Sequence, residues 1–201
     1  MTNSAFFDLY AKPGTIGLVG GTALIDKGIR KAQKILTSNK QDSLWSHVFI
    51  VNGRRQDNQI WIIESDLEFH SKQIKLGVQE NRISKYDKEE EFPNVAILDF
   101  NLSTTAADAV IGEALNLVAL KTQYSIREVF GVLYNVLNQQ SRLKENIFKQ
   151  QNSLFCSAFV QKCYHVIPLQ FNNQITASQL APNDIYTTSL PKQLHEIIRI
   201  V

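Results

Sequence analysis

Ser46-His47-Val48-Phe49-Ile50-Val51-Asn52-Gly53, followed after a short polar stretch by Gln59-Ile60-Trp61-Ile62-Ile63-Glu64-Ser65, decides the fold. Both segments are rich in β-branched and aromatic residues, and Gly53 and Asp57-Asn58 between them form turns, so together they read as a β-hairpin. If Asn52 pairs with Gln59, partner numbers total 111 and His47 stands opposite Glu64. Directly paired β-carbons lie about 4.5–5.5 Å apart. A carboxylate at that range fixes the imidazole tautomer and stabilises its cation. The six-residue loop does not set the pairing as a two-residue turn would, so Asn52 and Gln59 stay open as other polar neighbours of His47.

Outward from the hairpin the chain alternates strands and helices. Thr15 to Val19, after Lys12-Pro13-Gly14, reads as a strand ended by Gly20-Gly21. Thr22 to Leu36 carries Leu24, Ile25, Ile29, Ala32 and Ile35 at helical spacing, with Lys27, Arg30, Lys31 and Lys34 between them. Asn94 to Phe100 reads as a further strand, and Thr104 to Lys121 as a helix on Ala107, Val110, Ile111, Ala114, Leu115 and Val118. Ser125 with Glu128 three residues on is a capping box for a further helix. Ser153 to Val166 reads as a helix and Glu196 to Val201 as a closing strand. Hairpins mixed with helices imply an α+β class, with a central antiparallel sheet packed against helices, rather than a doubly wound parallel sheet. No linker or internal repeat divides residues 1–201, so one domain is expected, with a helical insertion at about residues 21–43.

Composition removes several classes of function. With 44% hydrophobic and 20% charged residues the chain matches soluble globular proteins. Its apolar runs, such as Val48-Phe49-Ile50-Val51, fall far short of the roughly 20 residues of a spanning helix, so no integral membrane association is expected. A net charge of +2 gives no electrostatic footprint for nucleic acid. The start, Met1-Thr2-Asn3-Ser4-Ala5-Phe6-Phe7-Asp8, lacks the basic and apolar regions of a secretory leader. The expectation is a protein cytoplasmic in the producing cell, or exported by a route that needs no signal peptide.

Cys156 and Cys163 lie seven apart in a helical segment, which puts their α-carbons about 10.5 Å apart, too far for a disulfide. Asn152 or Ser153 is a plausible N-cap, placing Cys156 in the first helical turn. There the helix dipole and unpaired N–H groups favour negative charge on a thiol, and the N–H groups of Cys156 and Ser157 can hold an oxyanion. Cys163, two turns inside the helix, reads as a packing residue. His70, His165 and His195 have no comparable partner pattern, and no Cys or His pair has the close spacing of a zinc site, so no metal and no cofactor are expected.

The order of Ser46-His47-Val48-Phe49-Ile50-Val51, Ile62-Ile63-Glu64-Ser65 and Phe155-Cys156-Ser157-Ala158-Phe159-Val160 resembles the circularly permuted branch of the NlpC-type papain-like cysteine hydrolases. Gly14 to Val19, Tyr124-Ser125-Ile126 and Thr176 to Pro182 resemble further family segments, so the likeness runs from about Pro13 to Pro182. Thr15 departs from the acidic residue that many relatives carry after the glycine.

The resemblance implies a permuted papain-like fold with the nucleophile at a helix N-terminus. It also implies a cysteine hydrolase (peptidase or amidase) with Cys156 as nucleophile, His47 as base and Glu64 as the orienting acid. Ser157 and Tyr124 are the residues expected to serve the oxyanion or the substrate. The implied substrate is a peptide of the bacterial cell wall. An antibacterial effector that acts on peptidoglycan and is held in check by an immunity protein is one form this would take. Two alternatives stay open: a lipid-directed acyltransferase or phospholipase of the same fold, using an acyl substrate, and a catalytically silent binding module.

Overall fold

The computed structural model describes residues 1–37, 40–70, 73–120, 156–172, 176–177 and 180–199, with backbone alone at residues 35, 67–70 and 73–76. Its centre is an antiparallel sheet of six strands: β1 (Ile16–Gly20), β2 (His47–Arg54), β3 (Ile60–His70), β4 (Gln73–Arg82), β5 (Asn94–Asp99) and β6 (Gln193–Ile197). They lie in the order β4-β3-β2-β1-β5-β6. The helices are α1 (Asn3–Tyr10), α2 (Leu24–Ala32), α3 (Thr104–Ala119), α4 (Cys156–Tyr164) and α5 (Pro182–Tyr186). The class is therefore α+β, as expected.

Alternation along the strands divides the core into two layers. On one face Ile16, Leu18, Val48, Ile50, Ile63, Ala96 and Leu98 meet Val110 and Ala114 of α3, Phe159, Val160, Cys163 and Tyr164 of α4, and Ile185 of α5. On the other, Val19, Phe49, Val51, Ile62, Val95 and Ile97 meet Phe6 and Phe7 of α1 together with Ile83 and Tyr86. β1 is buried along its whole length because both layers close over it. Burial on two faces explains why Thr15 to Val19 carries no polar alternation in the sequence.

Two glycines shape the strands that carry the site. A β-carbon on Gly17 would collide with the ring of Phe49, its partner across β1 and β2. That close approach lets the Phe49 ring stack on Tyr86, 5.2 Å between centroids and 8° between planes. Gly17→Val is therefore expected to destabilise the fold by about 3 kcal/mol, the upper range for overpacking a rigid core, as read from urea unfolding. Gly53, at φ +121°, sits where the β2–β3 register shifts between Val51 and Gly53.

The observed pairing corrects the expected one. Ile50 faces Ile63 and Val51 faces Ile62, so partner numbers total 113 rather than 111. The isolated glycine belongs to the strand and not to the turn: Gly53 with Trp61 and Arg54 with Ile60 total 114, and the one extra residue of the bulge takes this to 113. Because the displacement is even, His47 and Glu64 remain on one face, as diagonal rather than direct neighbours.

Other boundaries also differ from expectation. The segment after Gly20 is split into α2 and a one-turn 3-10 helix, Gln33–Leu36. β6 ends at Ile197 instead of spanning Glu196 to Val201. The helix expected from Ser125, Tyr124 before it, and residues 152–155 lie outside the described residues. Among the described residues no helix is long and apolar enough to cross a membrane.

Candidate active site

His47 is the first residue of β2, and the turn before it is tied down from three directions. The Ser46 backbone N–H donates to the Val19 carbonyl at 2.9 Å, and its hydroxyl accepts from the Gly21 N–H at 3.0 Å. Trp45, fully buried, anchors the preceding residue in the core. His47 then pairs with Val19 of β1, which leaves its ring on the face covered by Tyr86, 6.2 Å between centroids.

Glu64 meets the ring there. His47 Nε2 lies 2.8 Å from Glu64 Oε2, and the carboxylate is completely buried. A carboxylate without water needs all its lone pairs satisfied. Tyr86 donates its hydroxyl to Oε2 at 2.5 Å, while Asn81 Nδ2 and Lys85 Nζ both donate to Oε1 at 2.7 Å. Asn52 and Gln59, the other neighbours considered for His47, do not take this place. Asn52 donates to Glu80 at 3.1 Å, and the Gln59 N–H donates to Asp57 at 3.1 Å.

The donors around Glu64 come from a segment in which the sequence had shown no site. β4 carries Asn81, and the one-turn 3-10 helix Ile83–Tyr86 that ends β4 carries Lys85 and Tyr86. Asn3 of α1 fixes this turn by donating to the Tyr86 carbonyl at 2.9 Å. Tyr86 is gripped between the Phe49 ring and the edge of Phe92, 4.9 Å between centroids. The available signal was Gln73-Ile74-Lys75-Leu76-Gly77-Val78, whose polar and apolar residues alternate as in a strand.

Cys156 arrives from the opposite layer. It is the first described residue of α4, half-buried, and stands near enough to the His47 ring to help raise its pKa. With Nε2 taken by Glu64, the ring nitrogen left for the thiol is Nδ1. Ser157 is buried, with Oγ 3.9 Å from Cys156 Sγ, so any oxyanion role belongs to its backbone N–H and not to its hydroxyl. Cys163 is fully buried among α4 packing residues, and burial pushes its thiol far above the ordinary range. Its packing role agrees with the sequence, and both cysteines are free thiols. His165 is exposed, and His195 stacks on Tyr10 at 4.0 Å, away from this cluster.

Electrostatics bind the cluster into one unit. Burial pulls the His47 pKa down, but the charge of Asp66, the neighbouring Cys156 and the hydrogen bond to Glu64 outweigh it, holding the imidazole well above its usual value. Burial pulls Glu64 upward, yet the His47 hydrogen bond and the Lys85 charge keep its carboxyl far below the ordinary carboxylate range. Burial opposes the Lys85 charge, but Glu64 and Asp66 hold its ammonium above the usual lysine value. For Tyr86, burial and then the Glu64 charge raise the hydroxyl, so it stays a donor.

These shifts set a pH dependence. Glu64 is depressed, so its stabilisation is complete above the unfolded carboxyl value of about 4.3 and is lost as pH falls toward its folded value. His47 is raised, so its contribution is complete below about 6.5 and fades as pH rises through the folded value. Urea unfolding across pH should show both limbs in the native protein. Glu64→Gln is expected to flatten the acid limb and His47→Ala the neutral-to-alkaline one.

The donor atoms of His47, Glu64 and Asp66 lie within 4.8 Å of one another, a spacing that invites a test for a cation. Lys85 Nζ lies 2.7 Å from Glu64 Oε1 and 2.8 Å from Asp66 Oδ2. The ammonium thus supplies the positive charge among these oxygens, and Glu64 has no lone pair left for a metal. The residues do not fit a metal centre.

No family model matches the sequence, and no curated protein matches it as a relative. The fold is similar to that of the metalloprotein yiiX from Escherichia coli O157:H7, DUF1105, with a TM-score of 0.58 and 11% identity over 95% of this chain and 98% of that one. At that identity the likeness is one of fold.

Proposed function

We propose that this chain is a cysteine hydrolase of the permuted papain-like, NlpC-type kind, which cleaves an amide bond through a thioester. What carries the proposal is the 2.8 Å contact of His47 with the buried Glu64, together with Cys156 near enough on α4 to shift the His47 imidazole. Nucleophile, base and orienting acid are supplied by three separate elements. A packing cysteine needs no such partners, as Cys163 illustrates.

In this mechanism the Cys156 proton passes to His47 and the sulfur attacks the substrate carbonyl carbon, forming a C–S bond. Backbone N–H groups at Cys156 and Ser157 hold the oxyanion. As the tetrahedral adduct collapses, the C–N bond breaks and His47 returns the proton to the departing amine. Water, deprotonated by His47, then attacks the thioester carbonyl; the C–S bond breaks and the thiol is restored. Glu64 stays ionised throughout and holds the ring in the tautomer that faces Cys156.

The proposed substrate class is a short peptide of the cell-wall type. Incubation with purified peptidoglycan and, separately, with phospholipid vesicles, followed by mass spectrometry, tests it. New amine and carboxyl ends on peptide fragments support the proposal. Free fatty acid or acyl-transfer products with intact peptides would replace it by the lipid-directed alternative. With the Lys85 ammonium seated between the Glu64 and Asp66 carboxylates, the mechanism uses no metal.

A further inference from the structure

We propose that Lys85 is a positioning residue, a built-in cation that bridges Glu64 and Asp66 and thereby sets both the aim of Glu64 and the net charge that His47 faces. The inference rests on the reading of Cys156 and His47 as a catalytic pair.

The geometry is that of a bridge. Lys85 Nζ donates to Glu64 Oε1 at 2.7 Å and to Asp66 Oδ2 at 2.8 Å, and lies 5.2 Å from the centre of the Tyr86 ring. Exposed lysine–carboxylate pairs contribute little, because water already solvates both partners. Here Glu64 is fully buried and the Lys85 side chain is 24% exposed, so the ammonium takes over part of the solvation that water would give. A compact ammonium with three rotatable donors can serve two carboxylates at once. Its position is set by the 3-10 turn, which Asn3 ties to α1 through the Tyr86 carbonyl.

The charge count gives the consequence. His47 faces Glu64 and Asp66 from β3, Lys85 and Tyr86 from the 3-10 turn, and Cys156 from α4; β1 contributes apolar Val19, and Asn81 of β4 reaches Glu64 without charge. Glu64 and Asp66 carry two negative charges and Lys85 cancels one. Removing Lys85 doubles the negative charge beside the imidazole and stabilises its cation. Removing Asp66 as well restores the original count.

Titration of the His47 imidazole by NMR in the full chain tests this, with the resonance assigned by its absence from His47→Ala protein. Lys85→Met is expected to raise the midpoint by about one pH unit and Asp66→Asn to lower it by a similar amount, the ordinary effect of one charge at this range. The double variant should return close to the native midpoint, and Lys85→Arg should stay near it. Should Lys85→Met alone not fold, Asp66→Asn against the double variant isolates the same charge. Coincident midpoints in that pair, or in all the variants, would overturn the proposal, since a merely structural lysine predicts no such order. The readout needs no substrate. If Cys156 proves catalytic while the midpoints coincide, only the role of Lys85 fails. If the order holds but Cys156→Ala retains turnover, the hydrolase reading fails instead.

Discussion

Cys156→Ala protein is expected to lose hydrolysis of a susceptible amide by at least about 10⁴-fold, because the atom that forms the thioester is gone and water must attack unaided. The fold should survive. Cys156 is half-buried at the start of the described part of α4, whereas the packing of that helix rests on Phe159, Val160, Cys163 and Tyr164. Losing one partly exposed sulfur costs little beside the removal of a whole core side chain, which is worth about 2–5 kcal/mol. Matching near-ultraviolet dichroism and urea midpoints would separate lost chemistry from lost structure. Cys163→Ala should behave in the opposite way, keeping turnover while losing stability.

Glu64→Ala carries the second large effect, this time on stability. The carboxylate accepts from His47, Tyr86, Asn81 and Lys85 with no exposed surface. Its removal leaves the Tyr86 hydroxyl and the Asn81 amide without this acceptor and concentrates the Lys85 charge on Asp66. Breaking a buried ionic cluster from one side costs about 3–5 kcal/mol, and urea unfolding near pH 7 should show a loss of that order. Glu64→Gln, which keeps the shape and loses the charge, should fall between the two. The exposed pair Lys88–Glu91, also 2.8 Å long but 65% and 52% exposed, sets the scale from the other side. Lys88→Ala should leave the urea midpoint essentially where it is in the native protein.

Much of the fold could be read from residues alone because its central elements carry strong local patterns. Val48 to Val51 and Ile60 to Ile63 are dense in β-branched residues, and α3 repeats Ala107, Val110, Ile111 and Ala114 at helical spacing. α1 escaped notice because its stability is tertiary: Phe6 and Phe7 gain their burial only when the sheet is present. α5 spans five residues, too few for any periodicity to show. β4 mixes Lys75, Gln79 and Glu80 with its apolar positions, residue types of weak strand preference.

The site was legible to the same degree and for the same reasons. His47 and Glu64 could be matched because strand alternation keeps them on one face under any even displacement; the hairpin closes three off the expected total and the one-residue bulge at Gly53 leaves two. The observed register departs from the expected one because Gly53, a glycine beside a loop, reads as turn punctuation yet lies within β2. Lys85, Tyr86 and Asn81 were invisible for a different reason. They reach Glu64 across 21, 22 and 17 positions of chain, through a strand and a turn whose placement depends on α1 and Phe92. No local pattern encodes that convergence.

Activation of Cys156 by His47 is tested without any substrate by the rate of iodoacetamide labelling of Cys156 at pH 6. Native protein should label at least about tenfold faster than the His47→Ala variant, with the adduct mapped to Cys156 by mass spectrometry, because an imidazolium partner favours the reactive thiolate. Equal rates in the two folded proteins, or labelling that begins only on unfolding, would contradict the account.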